Sequence, residues 1–188
     1  MTLVAATVVG GLVLGWLRGG RVTALARAPL HGVWVLWPAV LAHGLMALGV
    51  AGTASAGARV LLSAAHTAVL AFAWANRRLP GMVLVALGTV ANAAVMVANG
   101  AMPVSRRALQ AVGGAPSTPA GRHVLADELA GGARLAWLGD VLPVPPLGSV
   151  VSAGDVVLAA GVAVLLPALM CRRARPPARR APPPVARG

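Results

Sequence analysis

Five stretches without arginine or acidic residues dominate the chain, and each approaches the roughly 17 to 25 apolar residues that a helix needs to cross a bilayer. They cover residues 1–17, 32–51, 60–76, 79–98 and 156–171. The chain as a whole is 58% hydrophobic and 11% charged, a composition far from that of a soluble domain. The sequence therefore predicts an all-α fold, an integral membrane helical bundle of about five transmembrane helices.

The charges that separate these stretches define the expected domain organisation. Four transmembrane helices occupy residues 1–98, an extracytoplasmic segment of short helices and extended chain follows at 99–155, and the fifth transmembrane helix spans 156–171. Residues 172–188 are rich in arginine and proline, a composition that cannot bury a core. We expect this last part to form a disordered cytoplasmic tail.

The basic residues are all arginines, and they are distributed unevenly over the predicted loops. Eleven lie in residues 18–27, 77–78 and 172–188, where there is no acidic residue, whereas all four acids lie in residues 99–155. By the positive-inside rule this asymmetry predicts an extracytoplasmic N-terminus and a cytoplasmic C-terminus in the cytoplasmic membrane. Four tryptophans lie near the predicted cytoplasmic ends of the spans, as this orientation requires: Trp16, Trp34, Trp37 and Trp74.

The extracytoplasmic segment contains the cap and turn residues of a small ordered unit. Residues 105–113 predict a two-turn helix with a serine N-cap and a glycine stop. Residues 118–130 predict a second helix, since threonine and then proline occupy its start. Three prolines at 143, 145 and 146 forbid regular helix and impose extended chain.

Two further motifs mark the ends of the spans that flank this segment. Gly100 follows Asn99 at the end of the fourth span, where a left-handed glycine closes a helix. Ser152 and Asp155 form the pattern of a capping box just before the fifth span. Both motifs have a structural explanation, and both also place oxygen-bearing side chains at neighbouring helix ends, where a small cation or polar ligand could bind.

Three polar side chains lie inside the predicted spans, where such groups mark candidate functional positions. At 1.5 Å per residue, His43, His66 and Asn92 all lie roughly 10 to 12 Å below the extracytoplasmic boundary. One interpretation is that they form hydrogen bonds between helices, each worth about 0.6 kcal/mol. The other is a polar pocket walled by these three residues and roofed by Asp140 and Asp155. No role is assigned to the other two histidines, His31 and His123.

The sequence lacks the motifs of the common enzyme classes. It contains no HExxH pair, no serine elbow, no phosphate loop and no dinucleotide fingerprint in a usable context. We therefore predict a non-enzymatic protein with no catalytic residue, no cofactor and no metal, although two histidines and a carboxylate could bind zinc. A hydrolase with Ser63 as nucleophile and His66 as base is a remote alternative. The single cysteine, Cys171, excludes an internal disulfide framework.

The expected partners follow from the same composition. The bilayer itself is the first, and anionic lipid is expected at the arginine-rich tail. The extracytoplasmic segment is expected to contact a membrane-protein partner or a second copy of the chain. Nucleic acid is not expected, because the few aromatic residues, 3% of the chain, leave little to stack on bases.

Three short motifs in the second half of the chain carry a resemblance. They are NG-x-MP at 99–103, LGD at 138–140 and S-x-GD at 152–155. In combination, over residues 1–170, the chain resembles a bacterial family of small multi-pass membrane proteins of unknown function. The resemblance implies several membrane helices and no established activity, and it directs attention to Asn99, Asp140 and Asp155.

Two functions are compatible with these observations. The first is a non-enzymatic accessory or structural component of the membrane. The second is a site for binding, transporting or sensing a small molecule or ion at the outer mouth of the helix bundle. The candidate residues for that site are His43, His66, Asn92, Asn99, Asp140 and Asp155.

Overall fold

Five long helices coincide with the five uncharged stretches in the computed structural model, which describes residues 2–47, 56–114, 123–128 and 132–172. A sixth, short helix lies in the segment between the last two. In chain order the helices are α1 (Thr2–Leu17), α2 (Trp37–Ala47), α3 (Ala56–Ala75), α4 (Met82–Asn99), α5 (Arg106–Ala111) and α6 (Ala153–Met170).

Two of these helices have the length and hydropathy required to cross a membrane. Among the described residues they are α4 and α6, whereas the apolar stretches of α1, α2 and α3 are shorter, at Leu3–Leu17, Val33–Leu45 and Arg59–Ala75. The predicted second span continues to residue 51, but residues 48–55 lie outside the described part. Five helices stand where five spans were predicted, and a crossing by all five stays a prediction.

The segment between α4 and α6 contains a four-stranded sheet, so the prediction of an all-α fold is wrong there. Its strands are β1 (Met102–Val104), β2 (His123–Leu125), β3 (Asp140–Val144) and β4 (Ser149–Ser152), in the order β2-β1-β3-β4. β1 pairs in parallel with β2 and β3, and β3 pairs antiparallel with β4. Pro143 lies in extended chain, as predicted, whereas Pro145 and Pro146 form a 3-10 turn between β3 and β4. The pairing of β1 with β2 and β3 left no local signal.

The helix predicted over residues 118–130 is also wrong where the structure describes it. His123–Leu125 is strand β2, and Ala126–Glu128 is a single 3-10 turn. Leu125 is fully buried in the sheet layer. Pairing with β1 and burial of this side chain outweigh the weak helix preference of the sequence.

The predicted helix ends are confirmed. The Ser105 hydroxyl accepts a hydrogen bond from the Ala108 amide at 3.3 Å and begins α5. Gly100 has φ of 74° and closes α4 in the left-handed region. Ser152 and Asp155 form the complete capping box at the start of α6. These local signals fix where the helices stop and the sheet begins.

The five long helices pack in the order α1, α6, α4, α3, α2, so α6 lies between α1 and α4, and α4 lies between α6 and α3. The α4–α6 contact is backbone to backbone. A Cβ added to Gly88 would lie 2.6 Å from the Leu158 amide nitrogen, and one added to Gly161 would lie 2.7 Å from the Gly81 carbonyl oxygen. Gly11 and Gly15 let α1 approach α6, since a Cβ added at either position would meet the side chain of Leu166 or Met170.

Replacing Gly88 with alanine is expected to destabilise the protein by about 1–3 kcal/mol, since the new methyl group would collide with backbone atoms that cannot move independently. Gly10→Ala in α1 is the matched control, because a Cβ there meets nothing within 4 Å. That control is expected to stabilise its helix by about 0.5–1 kcal/mol. Thermal unfolding of the two purified variants measures both effects, and equal melting temperatures would disprove the close contact.

Candidate functional site

A cavity of about 180 Å³ lies where the sheet meets the helices. It is partly open, and five of the six candidate residues line it, together with one histidine that had no assigned role. Its ionisable or strongly polar lining consists of His43, His66, Asn92, His123, Asp140 and Asp155. The structure therefore brings together the three polar side chains of the predicted spans (the polar tier: His43, His66 and Asn92) and the two carboxylates predicted to lie above them.

Asp140 is the most unusual group in this cavity. Its side chain is 3% exposed, and its Oδ2 lies 3.1 Å from Nε2 of His123. Its Oδ1 is buried and has no hydrogen-bond partner among the described residues. A buried acceptor without a donor costs about 1–3 kcal/mol, so an oxygen of this kind requires a physical explanation.

The two histidines of the predicted spans are oriented by their own helices. Nδ1 of His43 lies 2.7 Å from the Ala39 carbonyl oxygen, and Nδ1 of His66 lies 2.7 Å from that of Leu62. A carbonyl oxygen only accepts hydrogen bonds, so Nδ1 carries the proton in both rings. The contact with its own helix thus fixes the orientation of each ring and, in the neutral form, its tautomer.

Asn92 connects α4 to the start of α6. Its amide nitrogen donates to Asp155 Oδ1 at 2.7 Å, and its amide oxygen accepts from the Ser152 hydroxyl at 2.8 Å. The same Ser152 hydroxyl accepts from the Asp155 amide at 2.9 Å. This part of the polar tier is a satisfied network that holds two helices together, as the structural interpretation predicted.

Asn99 lies apart from the cavity. Its side-chain nitrogen donates to the carbonyl oxygens of Val95 and Arg134, and its oxygen accepts from the Arg134 amide, each at 2.8 Å. The side chain therefore bonds both the carbonyl and the amide of Arg134, in the segment before β3. We interpret Asn99 as a structural residue that positions this segment, and it is not among the residues that line the cavity.

His123 was missed by sequence reasoning. It lines the cavity because β2 pairs in parallel with β1, and β1 pairs with the first residue of β3, which is Asp140. An ion pair steadies the chain after β2, since Arg106 Nε lies 2.8 Å from Asp127 Oδ2 and lowers the pKa of that carboxyl. No local pattern signals a histidine placed by long-range strand pairing.

No group of three histidine, cysteine or acidic side chains is positioned to hold a metal ion within the described ranges. The arrangement instead concentrates hydrogen-bond acceptors. Asp140 and, in its neutral form, His66 supply two of them. Thr89 is a third, because its hydroxyl donates its proton to the Val85 carbonyl oxygen at 2.8 Å and the lone pairs of the hydroxyl oxygen then act as acceptors. The cavity can therefore receive a molecule that supplies donors.

Asn92→Ala is expected to lower stability by about 1–3 kcal/mol, because it leaves the fully buried Ser152 hydroxyl and the Asp155 carboxylate without their shared partner. Thr67→Ala is the control, since that exposed hydroxyl bonds only to its own helix at Ser63. Its effect should stay within about 0.5 kcal/mol. Chemical or thermal unfolding distinguishes the two, and equal losses would contradict the role given to Asn92.

Comparison with known proteins agrees with this picture only at the level of the family. No curated protein and no solved structure is significantly similar to the chain. The family of unknown function DUF5317 matches residues 27–167, which include the sheet and all of the polar cavity residues. The match confirms the resemblance to a family of unknown function. The chain thus belongs to the family DUF5317.

Proposed function

We propose that the chain is an integral membrane protein that binds a small organic cation with N–H donors in the cavity beneath the sheet. The observation that carries this proposal is at Asp140, a residue that lines the cavity and whose buried Oδ1 lacks a donor among the described residues. A bound ammonium or guanidinium group would supply both the missing hydrogen bond and the opposite charge.

Exposed apolar side chains support the membrane location. Large hydrophobic residues on the helices face outward, with exposed fractions of 68% at Val60 and 80% at Val97. An apolar surface of this extent is unfavourable in water and favourable against lipid. α4 and α6 are long enough to cross a bilayer, which supports the location further.

The size and chemistry of the cavity support the ligand class. At about 180 Å³ it is smaller than the roughly 300–1,000 Å³ of sites for drug-sized molecules, so the ligand is small. Its acceptors include the Asp140 carboxylate and the Thr89 hydroxyl oxygen. A cation with N–H groups would supply both a donor and a positive charge beside the carboxylate, in addition to the contact with His123 Nε2.

This proposal favours the second of the two functions expected from the sequence. A purely structural polar tier should have its hydrogen bonds satisfied, as Asn92 and Ser152 do. Asp140 does not follow that pattern. We propose binding without catalysis, and a role as an accessory component remains the competing outcome of the experiment.

The wild-type protein should melt at a higher temperature in the presence of alkylamines or alkylguanidines of two to six carbons. Binding to the native state alone contributes about 2.7 kcal/mol when the ligand is at 100 times its Kd. Alcohols of the same length, which lack the charge, should give no shift. Asp140→Asn should abolish the shift, because it removes the charge that the cation compensates.

Asp127→Asn is the matched control, since that carboxylate is exposed and lies outside the cavity lining. It removes the same charge and should keep the wild-type response. No shift with any amine or guanidine, or equal shifts in both variants, would reject the cation site and favour the accessory role.

The orientation has its own test. A cysteine in place of Ala120 should react with a membrane-impermeant maleimide in intact cells, while Cys171 should react only after permeabilisation. Labelling is read on the purified protein by mass. The reverse pattern would place the cavity on the cytoplasmic side.

A further inference from the structure

We infer that the other end of the bundle carries a binding site for the phosphate of an anionic membrane lipid. Two cavities of about 560 and 400 Å³ adjoin there and share Pro29 and Arg172. The first also contains Arg21 and Arg27, and the second Arg77 and Arg78. Along α6, this site and Asp155 are separated by roughly 24 Å, from the helical rise.

The charge of these cavities is entirely positive among the described lining residues. Arg21, Arg27 and Arg172 take part in no ion pair of the described chain, and no acidic side chain lines either cavity. Several guanidinium groups around one cavity, without an internal counterion, repel one another and favour an anion between them. Arginine forks also match the geometry of a phosphate group.

The backbone that carries these arginines is fixed in place by specific bonds. The Arg21 amide donates to the Met170 carbonyl at 3.1 Å, which ties the end of α1 to the end of α6. Asn76 is 3% exposed, and its side chain bonds the amide and the carbonyl of His31, each at 2.9 Å. The loop between α1 and α2 is therefore anchored at both ends, so the cavities are preorganised.

The aromatic residues at this end indicate a lipid headgroup as the occupant. Four indoles lie near the same helix ends and are 68–74% exposed, and indoles concentrate at the membrane interface. The guanidinium of Arg77 stacks 4.7 Å above one of them, Trp74. The four indoles are those of Trp16, Trp34, Trp37 and Trp74. Cavities at this level lie at the depth of the phosphates.

This inference depends on the membrane location in the proposed function and is independent of the cation cavity. It also concerns a site distinct from the tail, whose residues 173–188 lie outside the described part. Binding of anionic lipid to the tail would depend only on the net charge of the tail, whereas binding in the cavities depends on arginines contributed by several elements. Two variants that remove the same number of charges, one in the cavities and one in the tail, distinguish these two modes of binding.

The experiment compares three forms of the full-length, detergent-purified protein by native mass spectrometry and thermal unfolding. They are the wild type, a cavity variant with Arg21→Gln, Arg27→Gln and Arg172→Gln, and a tail variant with Arg173→Gln, Arg175→Gln and Arg179→Gln. The probes are phosphatidylglycerol, phosphatidylcholine and inorganic phosphate, each added separately.

Phosphatidylglycerol should bind and stabilise the wild type and the tail variant, with at least about tenfold weaker binding to the cavity variant. Phosphatidylcholine and inorganic phosphate should have little effect on any form. Equal losses in the two variants would show that net charge alone attracts the lipid and would overturn the site. Equal stabilisation by inorganic phosphate would replace the lipid with a soluble anion.

Thermal unfolding without any added ligand serves as the independent reference. A cavity variant that unfolds cooperatively at the wild-type melting temperature is folded, so its loss of lipid binding then reports on the arginines alone. A protein that purifies without detergent would instead refute the membrane location on which the lipid site depends.

Discussion

The direct contact between the backbones of α4 and α6 is the constraint on which the rest of the structure depends. Glycines at 81 and 88 face glycines at 161 and 154. The two helices are so close there that none of these four positions has room for a side chain. Only at this separation can Asn92 reach both Ser152 and Asp155. The same contact sets the start of α6 below β4, and through β4 it sets the position of β3.

The sheet covers one end of the contacting helices, and the cavity lies between the two. β1 continues from α4 and β4 leads into α6, and β3 lies between these two strands and pairs with both. Asp140 is the residue at which β3 pairs with both β1 and β4. Its carboxylate therefore lies over the helices that carry His66 and Asn92, in a space closed by the apolar side chains of the bundle.

Local signals were sufficient to predict part of this arrangement. The capping box of Ser152 and Asp155 and the stop at Gly100 each depend on a few consecutive residues, and both are present in the structure. The tier of His43, His66 and Asn92 follows from helical rise alone. By contrast, the parallel pairing that brings His123 to Asp140 joins residues far apart in the chain, and its short strands resemble loop or helix until paired. Long-range pairing is what the sequence could not reveal.

The partners of Asn92 have a consequence for how the chain is made. They lie 60 and 63 residues further along, so the amide and the glycine face of α4 are synthesised well before α6 exists to cover them. Domains and helices emerge from the ribosome in chain order. Until α6 has been synthesised and has packed against it, α4 therefore presents an unsatisfied polar group beside an open groove. Completion of α6 is the step that satisfies this group and covers the groove.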